Sequence, residues 1–208
     1  MKHILTFILI MLGFTCIAQE EELTDEEYAA KLAEIKEELR YKEFFRLYYV
    51  SSNGVGDNVI AEANGTGTGI GMGVTFGIIG RVHIIGSGEL SQFTVIDKSV
   101  AGNANNTNMG QLNLQGMYKF ALNDYFEVNP GIGFGYIYLR QKRSSQSLGT
   151  QDGFTIIPTV TIDFKLDNIR FFTGVNYCHA FLETNTHPDY KDFFGRVQML
   201  NIMLGFKL

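Results

Sequence analysis

The sequence predicts an all-β fold: an eight-stranded antiparallel up-and-down transmembrane β-barrel preceded by an N-terminal periplasmic amphipathic helix. Three observations lead to this prediction. Apolar and polar residues alternate along most of the chain after Phe44, long polar loops alternate with short turns, and aromatic residues cluster at two heights on the apolar face. A period of two gives each strand one apolar and one polar face. A barrel with its apolar face outward suits a bilayer.

Residues 1–18 predict a secretory signal peptide. Lys2 precedes an apolar run from Ile4 to Phe14, and Cys16-Ile17-Ala18 supplies small residues before the expected cleavage site. The run is too short for a spanning helix, and the mature chain is expected to begin at Gln19. A lipoprotein signal with Cys16 as the lipidated residue is the alternative. Phe14 disfavours it, because such signals prefer small residues at that point.

The composition restricts how the mature chain can be held together. Only Cys178 remains after cleavage, which excludes an intrachain disulfide and indicates a fold held by strand pairing or packing. No further apolar run of about 18 residues follows the signal peptide, which excludes a helical membrane protein. The 23 glycines, 3 prolines and 13% aromatic residues favour β-structure.

Residues 19–43 form an acidic leader that predicts one amphipathic helix. They hold ten acidic and four basic side chains, a net charge of −6, whereas residues 44–208 hold twelve of each. Thr24 and Glu27 form a capping box with Leu23 and Tyr28 as a hydrophobic staple. One apolar face follows at helical spacing, namely Tyr28, Leu32, Ile35 and Leu39. Negative charge disfavours docking on anionic lipid, which leaves packing against the body or contact with a partner.

Residues 44–208 predict eight strands. Their apolar positions, strand by strand, are Phe45, Leu47 and Tyr49; Ile70, Met72, Val74, Phe76 and Ile78; Val82 and Ile84; Leu112, Leu114, Tyr118 and Phe120; Phe126, Val128, Ile132, Phe134, Tyr136 and Tyr138; Phe154, Ile156, Pro158, Val160, Ile162, Phe164 and Leu166; Phe171, Val175, Tyr177 and Phe181; Leu200, Ile202, Leu204, Phe206 and Leu208. In the third strand the apolar residues change phase at Phe93 and Val95, which predicts a bulge there.

Long loops and short turns alternate along this part of the chain, which is typical of an up-and-down meander. Long polar loops are expected at about 52–66, 97–109, 142–152 and 182–192, and short turns near residue 80, at 123–125 and at 167–168. The register can be predicted at two turns, because residues that pair across a turn must point to the same face of the sheet (face parity). The turn at 167–168 pairs Leu166 with Ile169 and places Phe164 opposite Phe171, and Leu122 shares a face with Phe126.

The apolar face is expected to point outward. Gly, Thr, Asn and Gln dominate the other face and can fill the narrow lumen of eight strands. Two aromatic girdles are predicted: Phe120, Phe126, Phe164, Phe171 and Phe206 near the short turns, and Tyr136, Tyr138, Phe154, Tyr177 and Phe181 near the long loops. The chain ends on an alternating strand, Leu204-Gly205-Phe206-Lys207-Leu208.

In this architecture residues 44–208 resemble the small OmpA/OmpX-like outer-membrane β-barrel proteins. The resemblance implies location in a Gram-negative-type outer membrane after export, contact with outer-membrane lipid, and recognition of the C-terminal strand by the barrel-assembly machinery. Leu208 stands where the resembling proteins more often have Phe. No family-specific functional motif accompanies the resemblance.

Ten ionisable residues are expected in the barrel interior, namely Arg46, Arg81, His83, Glu89, Lys119, Glu127, Asp163, Lys165, Arg170 and Lys207. An ion path is one interpretation. A lumen filled by paired charges is favoured, with Glu127 diagonal to Lys119 and Asp163 diagonal to Arg170, because eight strands leave little free space. The glycines at 67, 69, 71, 73, 131, 133 and 135 lack the context of a phosphate-binding loop and leave room for long side chains.

No catalytic residue is predicted. The lipid A palmitoyltransferases also join a helix to an eight-stranded barrel, and similarity to them would imply His, Asp and Ser in the outer loops and an apolar slot in the lumen. Here the only loop histidine is His187, and Asp97 and Ser99 are not adjacent. Similarity to the lipid A deacylases would imply Ser two residues after His, but Phe181 follows His179 at that spacing. No nucleophile and base are therefore visible together.

No cofactor or metal site is predicted either, because neither His83 nor His179 has a second ligand at metal-binding spacing. The expected function is that of a non-enzymatic outer-membrane protein acting through exposed loops in envelope integrity, adhesion or partner binding. The alternatives are an outer-membrane lipid-modifying enzyme, a narrow channel, and an accessory subunit of an envelope secretion or assembly machine. A periplasmic or extracellular protein partner is expected, and nucleic acid is not.

Overall fold

The structure of the chain is a computed structural model that describes residues 44–166, 169–184 and 187–208. The signal peptide predicted at 1–18, the acidic helix predicted within 19–43 and the turn predicted at 167–168 lie outside the described residues. The helices within the described ranges are all too short or too polar to cross a membrane.

Eight strands build the described fold. They are β1 (Phe45–Gly54), β2 (Gly67–Ile79), β3 (Val82–Thr94), β4 (Asn106–Tyr118), β5 (Phe126–Arg143), β6 (Gln146–Leu166), β7 (Ile169–Leu182) and β8 (Arg196–Lys207). A two-residue strand, Phe120–Ala121, continues β4 beyond Lys119 and pairs with β5. Two short helices, α1 (Val59–Ala63) and α2 (Lys191–Gly195), lie in the long loops, and a 3₁₀ turn at Pro188–Tyr190 precedes α2.

The eight strands close into a barrel. Each is antiparallel to its neighbours in sequence, and β1 pairs with β8 from Arg46 opposite Lys207 to Gly54 opposite Met199. Closure gives every described barrel strand a partner on both sides, so that no strand edge is left to pair with another chain. The predicted eight-stranded up-and-down barrel is confirmed.

The registers predicted from face parity are confirmed as well. Leu166 pairs with Ile169, and Phe164 lies opposite Phe171. At the turn after β4, the Leu122 N–H donates to the Phe126 carbonyl at 3.0 Å. Asn123 Oδ1 accepts from the N–H groups of residues 125 and 126 at 2.9 and 2.8 Å, which is the local hydrogen bonding that makes Asn a turn residue.

The bulge predicted at Phe93 and Val95 is wrong. β3 pairs with β4 without interruption from Val82 to Thr94, and both residues keep the inward phase, where they are buried. The register of this hairpin shifts instead in β2, between Thr75 and Gly77. The apolar residues of the sequence move to the inward positions here because the interior itself becomes apolar toward the long loops.

The long loop predicted at 142–152 is a β-hairpin instead. β5 continues to Arg143 and β6 begins at Gln146, so that the turn consists of Ser144 and residue 145. Ser144 has a left-handed backbone, with φ 53°. Neither face of this extension needs apolar residues when both are exposed to water, and the alternation that predicts a strand is therefore absent from its sequence.

The outer surface of the barrel is apolar, as predicted. Phe154 is 72% exposed and Leu112 68% exposed, and both belong to the predicted apolar faces of their strands. Contacts between the rings of Phe126 and Phe164 at 5.2 Å and of Tyr136 and Phe154 at 6.1 Å lie in the two predicted aromatic girdles. A contiguous exposed apolar surface of this size is typical of a membrane-facing wall.

We expect Phe93→Ala to lower the free energy of unfolding by about 3–5 kcal/mol, because truncation of a fully buried ring leaves a cavity. Phe93 is 0% exposed, and its ring lies directly over Gly67. Urea unfolding of the barrel in lipid vesicles, followed by gel mobility without boiling, measures the effect. The matched control is Gln92→Ala, an exposed neighbour, with a change within about 0.5 kcal/mol. Equal losses in the two variants would contradict the inward placement of Phe93.

Candidate functional site

The interior of the barrel consists of two sections with different chemistry. The lower section, near the short turns, contains buried ions and amides, including Arg46, Gln115, Lys119, Glu127, Asp163 and Lys207. The upper section, near the long loops, is an apolar cluster that includes Val59, Ile60, Phe93, Met109, Ile137, Leu139, Cys178 and Met199. The polar lumen predicted from sequence is therefore confirmed in the lower section, whereas the upper section is mainly apolar.

Asp163 is the centre of the lower section. Its carboxylate is 0% exposed and accepts two hydrogen bonds from Lys207 Nζ, at 2.7 and 3.0 Å. Lys119 Nζ lies 3.5 Å from the same carboxylate. Lys207 also places its ammonium group 4.9 Å from the centre of the Phe172 ring. Buried charge is tolerated only when it is paired and hydrogen-bonded, and two ammonium groups meet that condition here.

The ion pairs continue from Asp163 to the edge of the lumen. Lys119 Nζ lies 3.3 Å from Glu127, which confirms the predicted pair, and Lys165 Nζ lies 3.0 Å from the other Glu127 oxygen. Arg170 pairs with Lys165 in the ladder and is therefore diagonal to Asp163, as predicted, but the hydrogen bonds to the Asp163 carboxylate come from Lys207. Sequence reasoning missed Lys207 because it considered adjacent strands only. Lys207 belongs to β8 and reaches Asp163 on β6 past β7.

Glycines on the inner wall make room for the long side chains, as predicted. Arg46 Nη2 donates to Gln115 Oε1 at 2.7 Å across the lumen. A Cβ atom at Gly73 would lie 2.6 Å from Arg46 Nε, and one at Gly133 would lie 2.6 Å from Gln115 Cγ. A larger residue at either position would displace this hydrogen bond.

Helix α1 closes the upper section from the loop side. Val59, Ile60 and Ala63 are at most 1% exposed and pack on the apolar cluster. Asn58 caps the helix: its Oδ1 accepts from the N–H groups of residues 60 and 61, both at 3.1 Å. The Ala63 carbonyl accepts from the N–H groups of Ile96 and residue 97. These bonds hold α1 in the mouth of the barrel, where an apolar helix face finds apolar partners.

The sequence alone did not reveal the apolar upper section. Its residues follow outward apolar neighbours, as in Tyr136-Ile137-Tyr138-Leu139, so that both faces of the strand are apolar at this height. Ile137 and Leu139 are buried inside while Tyr136 and Tyr138 are exposed. A strand segment with two apolar faces shows no alternation of apolar and polar residues, so hydrophobic periodicity does not reveal which residues face inward.

The remaining ionisable residues predicted for the lumen lie in several places. Arg81 is exposed at the turn between β2 and β3, whereas His83 and Glu89 are buried in the interior. His179 faces outward, and its ring lies 4.5 Å from that of Phe181 in the upper girdle.

His187 belongs to the loop after β7, where its Nδ1 lies 3.2 Å from Asp189. The structure thus separates His83, His179 and His187. The described part of the chain contains no group of three or more His, Cys, Asp or Glu residues that could hold a metal ion.

Asp97 and Ser99 do come together, in an exposed turn. The Ser99 hydroxyl donates to Asp97 Oδ1 at 2.6 Å, and the Ser99 N–H donates to the same atom at 2.8 Å. The hydroxyl bond, followed by the backbone bond, lowers the pKa of the Asp97 carboxyl below its usual value. The lowered pKa makes Asp97 a weak base for the Ser99 hydroxyl, and the two hydrogen bonds shape the turn.

A cleft of about 280 Å³ opens at the long-loop end, between α1, the β5–β6 hairpin and α2. Its lining includes Ile60, Thr107, Gln141, Gln151, Glu183 and Phe194. Thr107 is 1% exposed, and its hydroxyl is buried with no hydrogen-bond partner. Gln151 Nε2 donates to the Phe194 carbonyl at 3.1 Å, which ties the hairpin to α2. We call this cleft the mouth cleft. It could not be predicted from the sequence, because its residues come from several separate segments of the chain.

Solved structures share this architecture. Neisserial surface protein A matches with a TM-score of 0.58 and 10% identity, over 79% of this chain and 95% of that chain. Ail, the attachment invasion locus protein of Yersinia pestis, matches with a TM-score of 0.49 and 13% identity, over 79% and 95%. The N-terminal β-barrel domain of Pseudomonas aeruginosa OprF gives 0.47 and 10%, over 80% and 98%.

The first match establishes a common fold, that of the small eight-stranded outer-membrane β-barrels, as predicted. The other two have TM-scores below 0.5, too low to support an argument. No protein-family model and no curated protein sequence matches the chain.

We expect Asp163→Asn to lower the free energy of unfolding by about 3–5 kcal/mol, because it leaves the Lys207 ammonium buried without its carboxylate. Urea unfolding in lipid vesicles measures the loss. The double variant Asp163→Asn/Lys207→Gln removes both charges and should recover part of it. Asp189→Asn, an exposed carboxylate in the loop after β7, is the control. A double variant less stable than Asp163→Asn would show that Lys207 is not the main partner.

Proposed function

We propose that the chain is a non-enzymatic integral outer-membrane protein with a filled lumen, and that it acts through its loop end in envelope integrity, adhesion or partner binding. The observation that carries the proposal is the double closure of the lumen. The buried ion pairs around Asp163 fill the lower section, and the apolar cluster under α1 fills the upper one. A protein with no passage through it can still present its rigidly supported loops.

The filled lower and upper sections of the lumen together argue against a channel. Ions crossing the lower section would have to displace Lys207 from Asp163, a contact of 2.7 Å between two fully desolvated groups. Ions crossing the upper section would meet a packed, mainly apolar cluster, where transfer from water is costly. Either barrier is sufficient to block conduction.

The outward apolar wall supports location in a bilayer. Exposed Leu, Ile, Val and Phe side chains surround the barrel between the two aromatic girdles. Burial of such a surface in lipid is favourable, whereas in water it would drive aggregation. The closing strand β8, which ends at Lys207 beside the exposed Leu208, supports recognition by barrel-assembly machinery.

The long-loop end offers a surface for recognition. Ile96 is 68% exposed and Tyr190 59% exposed, and both lie in loops beyond the strands. Leu148 is exposed on the hairpin, where the ladder shifts register. The mouth cleft lies among these loops, and its Thr107 hydroxyl has a hydrogen bond to offer. Exposed apolar residues around a cleft with an unused polar group are typical of a binding surface.

The dispersal of reactive side chains supports a non-enzymatic role. The Ser99 hydroxyl donates to Asp97, and the imidazole of His187 faces Asp189 in a different loop. Acyl transfer needs a nucleophile and a base of suitable pKa within hydrogen-bond reach. In the described loops the acceptor at the Ser99 hydroxyl is Asp97, whose lowered pKa makes it a weak base. The acidic helix predicted within residues 19–43 is a candidate contact for a periplasmic partner. Both the helix and the contact are predictions from the sequence.

We expect the purified chain to give no steady ion conductance in planar bilayers. Replacement of residues 57–64 by a Gly-Ser linker should leave it silent, because the ion pairs of the lower section remain. Insertion is verified by gel mobility, since a folded barrel migrates differently before and after boiling. Steady current steps from the unmodified chain would contradict the filled lumen.

We expect the triple variant Ile96→Ser/Leu148→Ser/Tyr190→Ser to fail in restoring the phenotype of a deletion strain. The readouts are resistance to detergent and attachment to surfaces, and the matched control is Lys98→Ser/Gln146→Ser/Asp189→Ser, with one exposed polar residue in each of the same three segments. Lipid A from the deletion strain should keep its number of acyl chains. A change in that number would favour the lipid-modifying enzyme, and full rescue by the triple variant would exclude the loop surface.

A further inference from the structure

The outer wall of the barrel has one conspicuous hollow, formed where glycines replace large residues on β3 and β4. Gly88 and Gly110 occupy outward positions beside exposed leucines, since Gly88 pairs with Leu112 and Gly110 pairs with Leu90. The hollow has a volume of about 550 Å³. Its walls include Ile70, Met72, Leu90, Leu112, Tyr136 and Tyr138. We call it the glycine groove.

The glycine groove continues along the barrel wall toward the short turns. A second hollow of about 480 Å³ shares Met72, Gly88 and Leu112 with the first and extends to Phe76 and Phe134. Leu90 lines the first hollow and Gly86 the second, so that together they extend over four residues of β3, which is about 13 Å. An apolar depression of this length can take an extended hydrocarbon chain.

Basic side chains lie directly above the upper end of the groove. Tyr138 lines the groove, and the next residues on the same face of β5 are Arg140 and Lys142, which follow at about 7 Å intervals. Asn108 lies opposite Arg140, and Asn106 lies opposite Lys142. Hydrogen-bond donors thus begin where the aromatic girdle ends, at the height at which lipid headgroups meet a barrel.

We propose that the glycine groove binds one lipid from the leaflet on the long-loop side, with an acyl chain in the groove and an anionic phosphate headgroup on Arg140 and Lys142. Arg140 Nε donates to Ser147 Oγ at 3.1 Å, which orients the guanidinium at the hairpin edge. Guanidinium and ammonium groups are the side chains that bind phosphate most strongly. Asp152, a carboxylate opposite Tyr138 on β6, accepts a hydrogen bond from the Tyr136 hydroxyl.

Charge favours a lipid over a second copy of the chain as the occupant. Two copies in one membrane that met groove to groove would be related by an axis along the membrane normal. Arg140 and Lys142 of both copies would then face each other at the same height, and like charges would repel. An anionic lipid meets the same residues with opposite charge. The inference rests on the proposed membrane location and is independent of the role of the loops.

The groove can be filled without disturbing the barrel. A Cβ atom at Gly88 would lie 3.4 Å from Leu112 Cδ2, and one at Gly110 would lie 3.6 Å from Leu90 Cδ2, both ordinary contacts. Gly116, on the same outward face of β4 but outside the groove, would place its Cβ 4.0 Å from Val82 and provides a matched control.

The experiment measures lipid retained by the full chain in nanodiscs that contain equal amounts of phosphatidylglycerol and phosphatidylcholine with identical acyl chains. Native mass spectrometry counts the lipids that remain after release from the disc. We expect one retained phosphatidylglycerol per barrel. The variant Gly88→Leu/Gly110→Leu should retain neither lipid, whereas Gly116→Leu should behave as the unmodified chain.

The variant Arg140→Gln/Lys142→Gln tests the headgroup contact without touching the wall. It should lower the preference for phosphatidylglycerol by about tenfold or more, since each basic residue near an anionic headgroup contributes about a factor of five. Lys98→Gln/Arg143→Gln removes two nearby charges and should leave the preference unchanged.

Equal retention of both lipids by the unmodified chain would overturn the headgroup assignment, and retention by Gly88→Leu/Gly110→Leu would overturn the groove. A cross-linked dimer that disappears in that variant, with lipid retention unchanged, would identify a second copy as the occupant and overturn the proposal. A chain whose gel mobility is the same with and without boiling would instead contradict the membrane location.

Discussion

Closure of the hydrogen-bond ladder between β1 and β8 is the constraint on which the rest of the structure depends. Within lipid there is no water to satisfy backbone N–H and C=O groups, so a sheet can face hydrocarbon only when its first and last strands pair. The nine paired positions from Arg46 with Lys207 to Gly54 with Met199 meet this requirement. Once the strand number is fixed at eight, the width of the lumen is fixed as well, and the interior must be filled by its own side chains.

The interior is filled in two ways that reflect its two ends. Near the short turns, long charged side chains from opposite walls converge on Asp163 and Glu127, and glycines such as Gly73 give them space. Near the long loops, the chain folds back on itself and α1 supplies Val59 and Ile60 to an apolar cluster. In both sections the described chain fills the interior with its own side chains.

Most of the fold could be predicted because strand faces follow a period of two and turns preserve face parity. The pairs of Leu166 with Ile169 and of Lys119 with Glu127 follow from that rule alone. Three features escaped it for physical reasons. Phe93 is an apolar residue on the inward face because the upper section of the interior is apolar. The β5–β6 hairpin needs no apolar face, and Lys207 contacts Asp163 across an intervening strand. The mouth cleft and the glycine groove depend on volumes, which periodicity does not encode.

The position of Cys178 has a consequence for the chemistry of the folded chain. The thiol is fully buried in the apolar cluster, where Gln111 Nε2 lies 3.6 Å from its sulfur. Reaction with another thiol or with an oxidant requires access to solvent, and the apolar cluster prevents that access. The folded barrel is therefore protected against mixed disulfides while the unfolded chain is not. Labelling of Cys178, the one cysteine in the described residues, with a thiol reagent therefore reports whether the apolar cluster is packed or the barrel interior has opened.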